Sequence, residues 1–308
     1  MRLLGKTNID FMGKRRVWYL VSGLVILAGL VSLMVKGLDY GIDFLGGTEL
    51  VVRFERPVDI ADVREAMGKT GLTKTEIKSF GTDRDILIRT TEQGFGTTIG
   101  DRIRAGLDAS FPDNPHIVTK EDKIGPKIGA ELRRDAVYAV IASLIAILIY
   151  IAFRFKWIYG LGAVIALFHD VLVTLGLVSI FDGITPNFHL EINQNMIAAF
   201  LTLVGLSVND TVVIFDRIRE NSKIFKSMST FDLINKSLNE TLSRTIITSG
   251  TIFIVLMVLL VFGGEVNRGF AFALTVGIVT GTYSSIYIAS AVVLEAAQRS
   301  KARVQFTK

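Results

Sequence analysis

Six apolar runs, each long enough to cross a bilayer, leave this chain few folds to choose from. They lie at about residues 17–35, 136–153, 157–181, 195–215, 246–262 and 270–294. A hydrocarbon layer about 30 Å thick takes roughly 20 helical residues, and a helix satisfies its own backbone polar groups there without water. Half of the 308 residues are apolar and mean hydropathy is +0.47, yet 20% are charged. The charges are therefore segregated from the apolar runs. The expected fold class is an α-helical polytopic membrane protein with six transmembrane helices.

The first run follows the basic residues Arg2, Lys6, Lys14, Arg15 and Arg16, which also suits a cleaved secretory signal. Its length and the lack of a small-x-small cleavage site before Lys36 favour an uncleaved anchor. An even number of spans puts both termini on one side, and the basic residues say which. Arg154 and Lys156 lie between spans two and three; Arg217, Arg219, Lys223, Lys226, Lys236 and Arg244 between four and five; Arg299, Lys301, Arg303 and Lys308 after six. The positive-inside rule makes these faces and both termini cytosolic. The expected organisation is a cytosolic N-terminus (1–16), a first span (17–35), an external soluble domain (36–130), five further spans (131–295) and a basic cytosolic tail (296–308). Because the net charge of +5 is already explained by these boundaries, nucleic-acid binding is not expected. The absence of cysteine excludes disulfides, thiolate metal sites and cysteine nucleophiles.

The external segment reads β-α-β-β-α-β. Glu49 to Phe54 alternates as a strand, and Asp59 caps a helix to Lys69 that carries Ile60, Val63, Ala66 and Met67 on one face. Thr75 to Phe80 and Asp85 to Thr90 are short strands around a turn at Gly81 to Arg84. Thr98 to Phe111 spaces Ile99, Ile103, Leu107 and Phe111 four apart before Pro112. His116 to Lys120 supplies the last strand, with His116 expected as an exposed polar residue. The order is that of a ferredoxin-like α+β domain. The Gly46-Gly47 pair suits a sharp turn into the first strand.

Ionisable residues inside the spans carry the functional signal. A mid-span carboxylate costs about 2.5–3.5 kcal/mol on insertion scales, so it calls for a partner, a cavity or a task. His169 and Asp170 fall near the middle of span three; Asn209, Asp210 and Thr211 fall in the cytosolic half of span four. Gly205 and Asn209 flank Asp210, a face suited to a helix interface or wet cleft. Span five begins with Arg244, Thr245, Thr248 and Ser249, and span six repeats small residues at Gly277, Gly281 and Ser285. Packing spans four to six through these faces would bring Asp210 near Arg244 and lower the cost of both charges. His169 and Asp170 can be placed in the membrane but not given a task. A carboxylate beside an amide and hydroxyls suits sodium as well as a proton.

The stretch Gly205-Leu-Ser-Val-Asn-Asp-Thr-Val-Val-Ile-Phe-Asp-Arg-Ile-Arg-Glu220 closely resembles the signature of the SecD/SecF family of bacterial protein-export membrane subunits. Tyr40-Gly-Ile-Asp-Phe-Leu-Gly-Gly-Thr48, His169-Asp170-Val171, Leu242-Ser-Arg-Thr245 with Thr248-Ser249, and Gly281-Thr-Tyr-Ser-Ser285 agree with it. The resemblance implies a half-unit of the RND superfamily type, paired with SecD, in the inner membrane. It implies association with the SecYEG translocon, small accessory Sec membrane subunits and the membrane insertase, and action on preprotein emerging in the periplasm under the proton-motive force. It implies a proton-pathway carboxylate at Asp210 and an essential arginine at Arg244. Neither enzyme activity nor a cofactor is expected; no Walker-type phosphate loop occurs. A proton-coupled exporter of small molecules or lipids, and a non-transporting translocon scaffold, are the competing readings.

Overall fold

Segments whose side chains alternate in polarity build a small sheet domain, and the long apolar segments build a helix bundle beside it. The computed structural model describes residues 7–72, 75–92, 94, 96–185 and 188–299. Helix α1 (Arg15–Val35) leads through a single-turn helix α2 (Ile42–Leu45) into β1 (Gly47–Phe54). Then come α3 (Ile60–Lys69), β2 (Thr75–Phe80), β3 (Thr82–Thr90), α4 (Thr98–Ser110) and β4 (His116–Ile124). The strands are ordered β2-β3-β1-β4, every pair antiparallel. This is the expected ferredoxin-like arrangement. Leu50, Val52, Phe54, Ile86 and Ile88 on one sheet face bury against Val63 and Met67 of α3 and Ile103 and Leu107 of α4.

Two local differences from the sequence reading have plain causes, and the expected glycine turn is present. The turn between β2 and β3 is only Gly81, because its φ of +86° lets the chain reverse within one residue. Gly46 and Gly47 take φ of +70° and +143°, and a Cβ on Gly47 would lie 2.3 Å from the Thr90 carbonyl oxygen; the pair does make the turn into β1. His116 is half-buried rather than exposed, because its ring lies 5.2 Å from that of Phe54 and Nε2 is 3.4 Å from Asp108.

The remaining helices are α5 (Pro126–Arg154), α6 (Trp157–Phe181), α7 (Gln194–Ile224), α8 (Thr230–Phe262) and α9 (Gly264–Ser284), continued by a π turn (Ser285–Ala289) into α10 (Ser290–Arg299). With α1 they supply six helical segments long and apolar enough to span, the last formed by α9, the π turn and α10 together. α5 starts ten residues before the expected span, with Pro126 in its first turn, where a missing N–H costs nothing. α7 and α8 outrun the apolar runs because their polar extensions pair with each other. Arg217 Nε donates to Glu240 at 2.7 Å, and Asn221 Nδ2 donates to Ser237 at 2.9 Å. Asn193 caps α7 by accepting from the Met196 N–H at 2.9 Å.

α6, α7 and the α9–α10 rod form the centre of the bundle; α1, α5 and α8 leave most of their apolar faces uncovered. α1 crosses α6 where Gly29 meets Gly176, and a Cβ on Gly29 would stand 2.6 Å from the Gly176 Cα. The N-terminal segment is not a free tail. Phe11 and Met12 are buried against the bundle, and the side-chain oxygens of Asn235 and Asn239 on α8 accept from the Phe11 and Ile9 N–H groups at 2.8 Å. At the other end, residues 296–299 continue α10, and the rest of the expected basic tail lies outside the described residues.

Candidate functional site in the helix bundle

Two carboxylates are buried inside the bundle, and their surroundings differ. Asp210, near the middle of α7, is 6% exposed and accepts one hydrogen bond, from Ser249 Oγ of α8 at 3.0 Å. Thr248, half-buried, precedes Ser249. Arg244 lies five residues before Ser249 on α8, and it makes no ion pair with Asp210 among the described residues. Its side chain is exposed. The expected pairing of Asp210 with Arg244 is therefore absent as a direct contact among the described residues.

Asp170, in the middle of α6, is fully buried and saturated with donors. Oδ2 accepts from Ser207 Oγ of α7 at 2.5 Å and from Ser284 Oγ of α9 at 2.9 Å; Oδ1 lies 2.9 Å from His169 Nδ1. His169 Nε2 is 3.0 Å from the Tyr283 hydroxyl, which in turn accepts from Ser22 Oγ of α1 at 3.4 Å. One hydrogen-bonded chain thus ties α1, α6, α7 and α9 together, as a buried polar group requires. Ser22, Ser207, Tyr283 and Ser284 were not singled out from sequence. Ser207, Tyr283 and Ser284 lie within the family-like stretches but received no task there, and Ser22 showed only a hydroxyl inside an apolar run, which is common in spanning helices for local reasons.

The two carboxylate sites share a wall. Ser207 serves Asp170 while Asp210 and Thr211 follow one turn later, and Thr211 Oγ1 is 2.8 Å from Ser285 Oγ, next to Ser284. The π turn that begins at Ser285 re-phases α9 here; the Ser285 carbonyl accepts from the Ser290 N–H and also from Ser290 Oγ at 2.8 Å. Gly277 and Gly281 do let α9 close on α7: a Cβ at Gly277 would lie 1.6 Å from Leu203 Cδ1, and one at Gly281 3.1 Å from Ser207 Cβ. Gly205 does not act this way. It lies with Asn209 on the outward face of α7, and a Cβ there would meet nothing within 4 Å in this chain.

A third charged cluster joins the sheet domain to the bundle. Arg89 of β3, 2% exposed in its side chain, bonds Glu49 of β1 at 2.8 Å, Glu76 of β2 at 3.1 Å, and Glu191, just before α7. Lys78 of β2 bonds Asp39, Glu76 at 2.5 Å and Glu191 at 3.4 Å. Burial pushes the Glu191 carboxyl up, but Arg89 and Lys78 outweigh it and hold it below the usual carboxylate range. Burial raises Asp39, and Lys78 offsets only part of that. Asp39, Glu76 and Glu191 place oxygens within 4.8 Å of one another. Two cations already occupy that space, so the cluster is an ion-pair network rather than a metal centre.

Carboxylates inside helices long enough to span, a polar seam between them and a ferredoxin-like domain after the first span define a polytopic membrane protein with a candidate site in its bundle. Residues 109–299 match the family described as protein export membrane protein SecD/SecF, C-terminal, and residues 31–58 match the SecD/SecF GG motif. The chain belongs to the SecD/SecF family. It is 48% identical to the protein translocase subunit SecF of Rhodothermus marinus over 98% of both chains, and 36% identical to that of Escherichia coli over 98% of this chain and 92% of the relative. The crystal structure of SecDF, a translocon-associated membrane protein from Thermus thermophilus, superposes with a TM-score of 0.83 at 37% identity, covering 95% of this chain. SecDF in its super-membrane-facing form gives 0.70 at 36% identity over 97% of this chain. This chain spans 39% and 40% of those two solved chains.

Proposed function

We propose that this chain is a multi-pass inner-membrane subunit of the Sec translocase that works with SecD to convert the proton-motive force into late steps of preprotein export. The single observation that carries the proton role is the setting of Asp210: buried inside the bundle, with one hydroxyl donor, against the helix that also carries Arg244. Asp170 already has three hydrogen-bonding neighbours; Asp210 has room to gain and lose one. Protonating Asp210 cancels its attraction for Arg244 and changes how α7 and α8 pack. One charge crossing about 100 mV supplies roughly 2.3 kcal/mol, enough to move a two-state packing equilibrium substantially.

Thr211, Thr248 and Ser249 supply the polar seam around that event, while Asn209, expected there, faces outward; Gly277, Gly281 and Ser285 keep α9 close enough to take part. Gly205, Asn209 and Arg244 point outward, a small and polar surface poorly matched to lipid and well matched to helices of a partner subunit. SecD is the partner we assign to it, with SecYEG, the accessory Sec membrane subunits and the insertase in the wider assembly. Both termini are assigned to the cytosol and the sheet domain to the periplasm, where it meets emerging preprotein.

Asp210→Asn keeps the size and removes the titration. In vesicles reconstituted with SecD, SecYEG and SecA, it is expected to abolish the part of preprotein export that responds to an imposed proton gradient, while ATP-driven entry persists. Parallel vesicles with an imposed sodium gradient identify the coupling ion. Unchanged gradient-driven export in the variant overturns the proton role and leaves a scaffold.

A further inference from the structure

The helix that carries Asp210 is joined to the sheet domain without slack. Glu191, Ile192 and Asn193 lead directly into α7. The Ile192 N–H donates to the Asp39 carbonyl at 2.7 Å, and the Ile192 carbonyl accepts from the Gly41 N–H at 3.0 Å. Asn193 caps the helix, and the Gln194 N–H donates to Asp43 of α2 at 2.9 Å. From there α7 runs unbroken through Asp210, a rod of about 24 Å at 1.5 Å per residue. A capped, continuous helix moves as a body, so displacement at Asp210 reaches Glu191 undiminished.

Glu191 is also where that rod grips the domain. Its Oε2 meets Arg89 and its Oε1 lies 3.4 Å from Lys78. Arg89 cannot swing to follow, because Glu49 and Glu76 stand opposite it in register on the two neighbouring strands and hold the guanidinium from both sides. The grip is therefore stiff at both ends: helix lead-in on one side, three strands on the other. Removing Glu191 leaves Arg89 paired within the sheet by Glu49 and Glu76, so the domain keeps its own core and ion pairs. Removing Arg89 instead would strand Glu49, 6% exposed, with Lys120 alone. Glu191 is thus the end of the contact that can be cut without dismantling the domain.

We infer that Glu191 is the positioning residue through which α7 and the sheet domain move together, so that the state of Asp210 sets where the domain sits. This rests on the reading of Asp210 as a site that gains and loses charge. The carboxylate touches no transported group; it acts through Arg89 and Lys78.

The lack of cysteine makes the test direct. Spin labels on Ala61→Cys of α3 and Phe262→Cys at the end of α8, both exposed, report the distance between domain and bundle in the chain reconstituted with SecD. With Glu191 present, Asp210→Asn is expected to shift the mean distance by about 2 Å or more, the scale of helix displacements in switching proteins. In Glu191→Gln and Glu191→Ala, where the backbone bridges to Asp39, Gly41 and Asp43 remain but the side-chain grip on Arg89 and Lys78 is weakened or lost, the same substitution is expected to give less than half that shift. A shift of half that size or more in both Glu191 variants, or no shift with Glu191 present, overturns the inference. Loss of gradient-driven export in Asp210→Asn without any distance change would sink this inference alone and leave the proton role standing. Retention of proton-driven export would sink the proton role itself.

Discussion

Replacing Asp170 by Leu should destabilise the bundle more than replacing it by Asn, and the hydrogen-bond geometry says by how much. The carboxylate meets Ser207 at 2.5 Å, Ser284 at 2.9 Å and His169 at 2.9 Å. The Ser207 and Ser284 bonds are interhelical, and such bonds in membranes contribute about 0.6 kcal/mol on average and up to about 1.7, so deleting both costs roughly 1–3 kcal/mol while the His169 contact within α6 is lost as well. Removing a desolvated carboxyl offsets part of that loss, but Ser207, Ser284 and His169 Nδ1 each lose that partner, so the net stays at about 1–3 kcal/mol. Asn loses much less. Its amide oxygen can keep both serine hydroxyls, and its NH2 can donate to His169 Nδ1 once the imidazole proton sits on Nε2. Nε2 then donates to Tyr283, whose own proton turns toward Ser22. The chain of hydrogen bonds reverses without breaking, at a cost of about 1 kcal/mol or less. Equilibrium unfolding in mixed detergent, followed by helical circular dichroism, gives the ranking. Ser284→Ala supplies the internal control: it should cost about 1 kcal/mol with Asp170 in place and close to nothing beside Asp170→Leu, since its partner is already gone. Equal costs in both backgrounds, or Asn as damaging as Leu, would refute the network.

Two further expectations concern packing and pH. A Cβ on Gly29 would lie 2.6 Å from the Gly176 Cα, against about 3.5–4.0 Å for ordinary carbon contact, so Gly29→Ala must part α1 from α6 by about 1 Å. It should cost about 1–3 kcal/mol in the same unfolding assay, with Gly176→Ala adding less than its own single effect because the helices have already separated. Glu191 is held below its ordinary value of 4.5, so the stability it contributes is present above that pH and is lost as pH falls through the lowered value. The gap in thermal midpoint between the natural chain and Glu191→Gln should therefore stay constant from neutral pH to about 5 and close only below 4.5. Closure between neutral pH and 5 would contradict the Arg89 contact.

Much of the architecture was legible because it depends on local properties. Span count follows from run length, and the order β-α-β-β-α-β from periods of two and of about four in the polarity of neighbouring residues. Helix ends were less legible. Arg217 to Ile224 and Thr230 to Arg244 read as loop by hydropathy, yet Arg217–Glu240 and Asn221–Ser237 hold them as paired helices. Asp210, Ser249, Gly277 and Gly281 could be nominated because their chemistry is anomalous for a membrane interior. Gly205 was nominated by the same logic and packs nothing within the chain, because glycine spacing marks a face but not which neighbour covers it.

Sequence alone determined that this chain crosses a membrane six times, carries a ferredoxin-like domain after its first span and keeps ionisable groups inside its helices. Length, hydropathy and residue identity settle such matters before any helix meets another. Only the tertiary structure decided that Asp170 meets three hydrogen-bonding neighbours while Asp210 holds one hydroxyl, that Arg244 makes no ion pair with Asp210, and that Glu191 clasps the sheet. Those outcomes depend on crossing angles, on a π turn that shifts the phase of one helix, and on glycines that set how closely two backbones approach. Residues 102 apart, such as Arg89 and Glu191, meet only when all of these are fixed together.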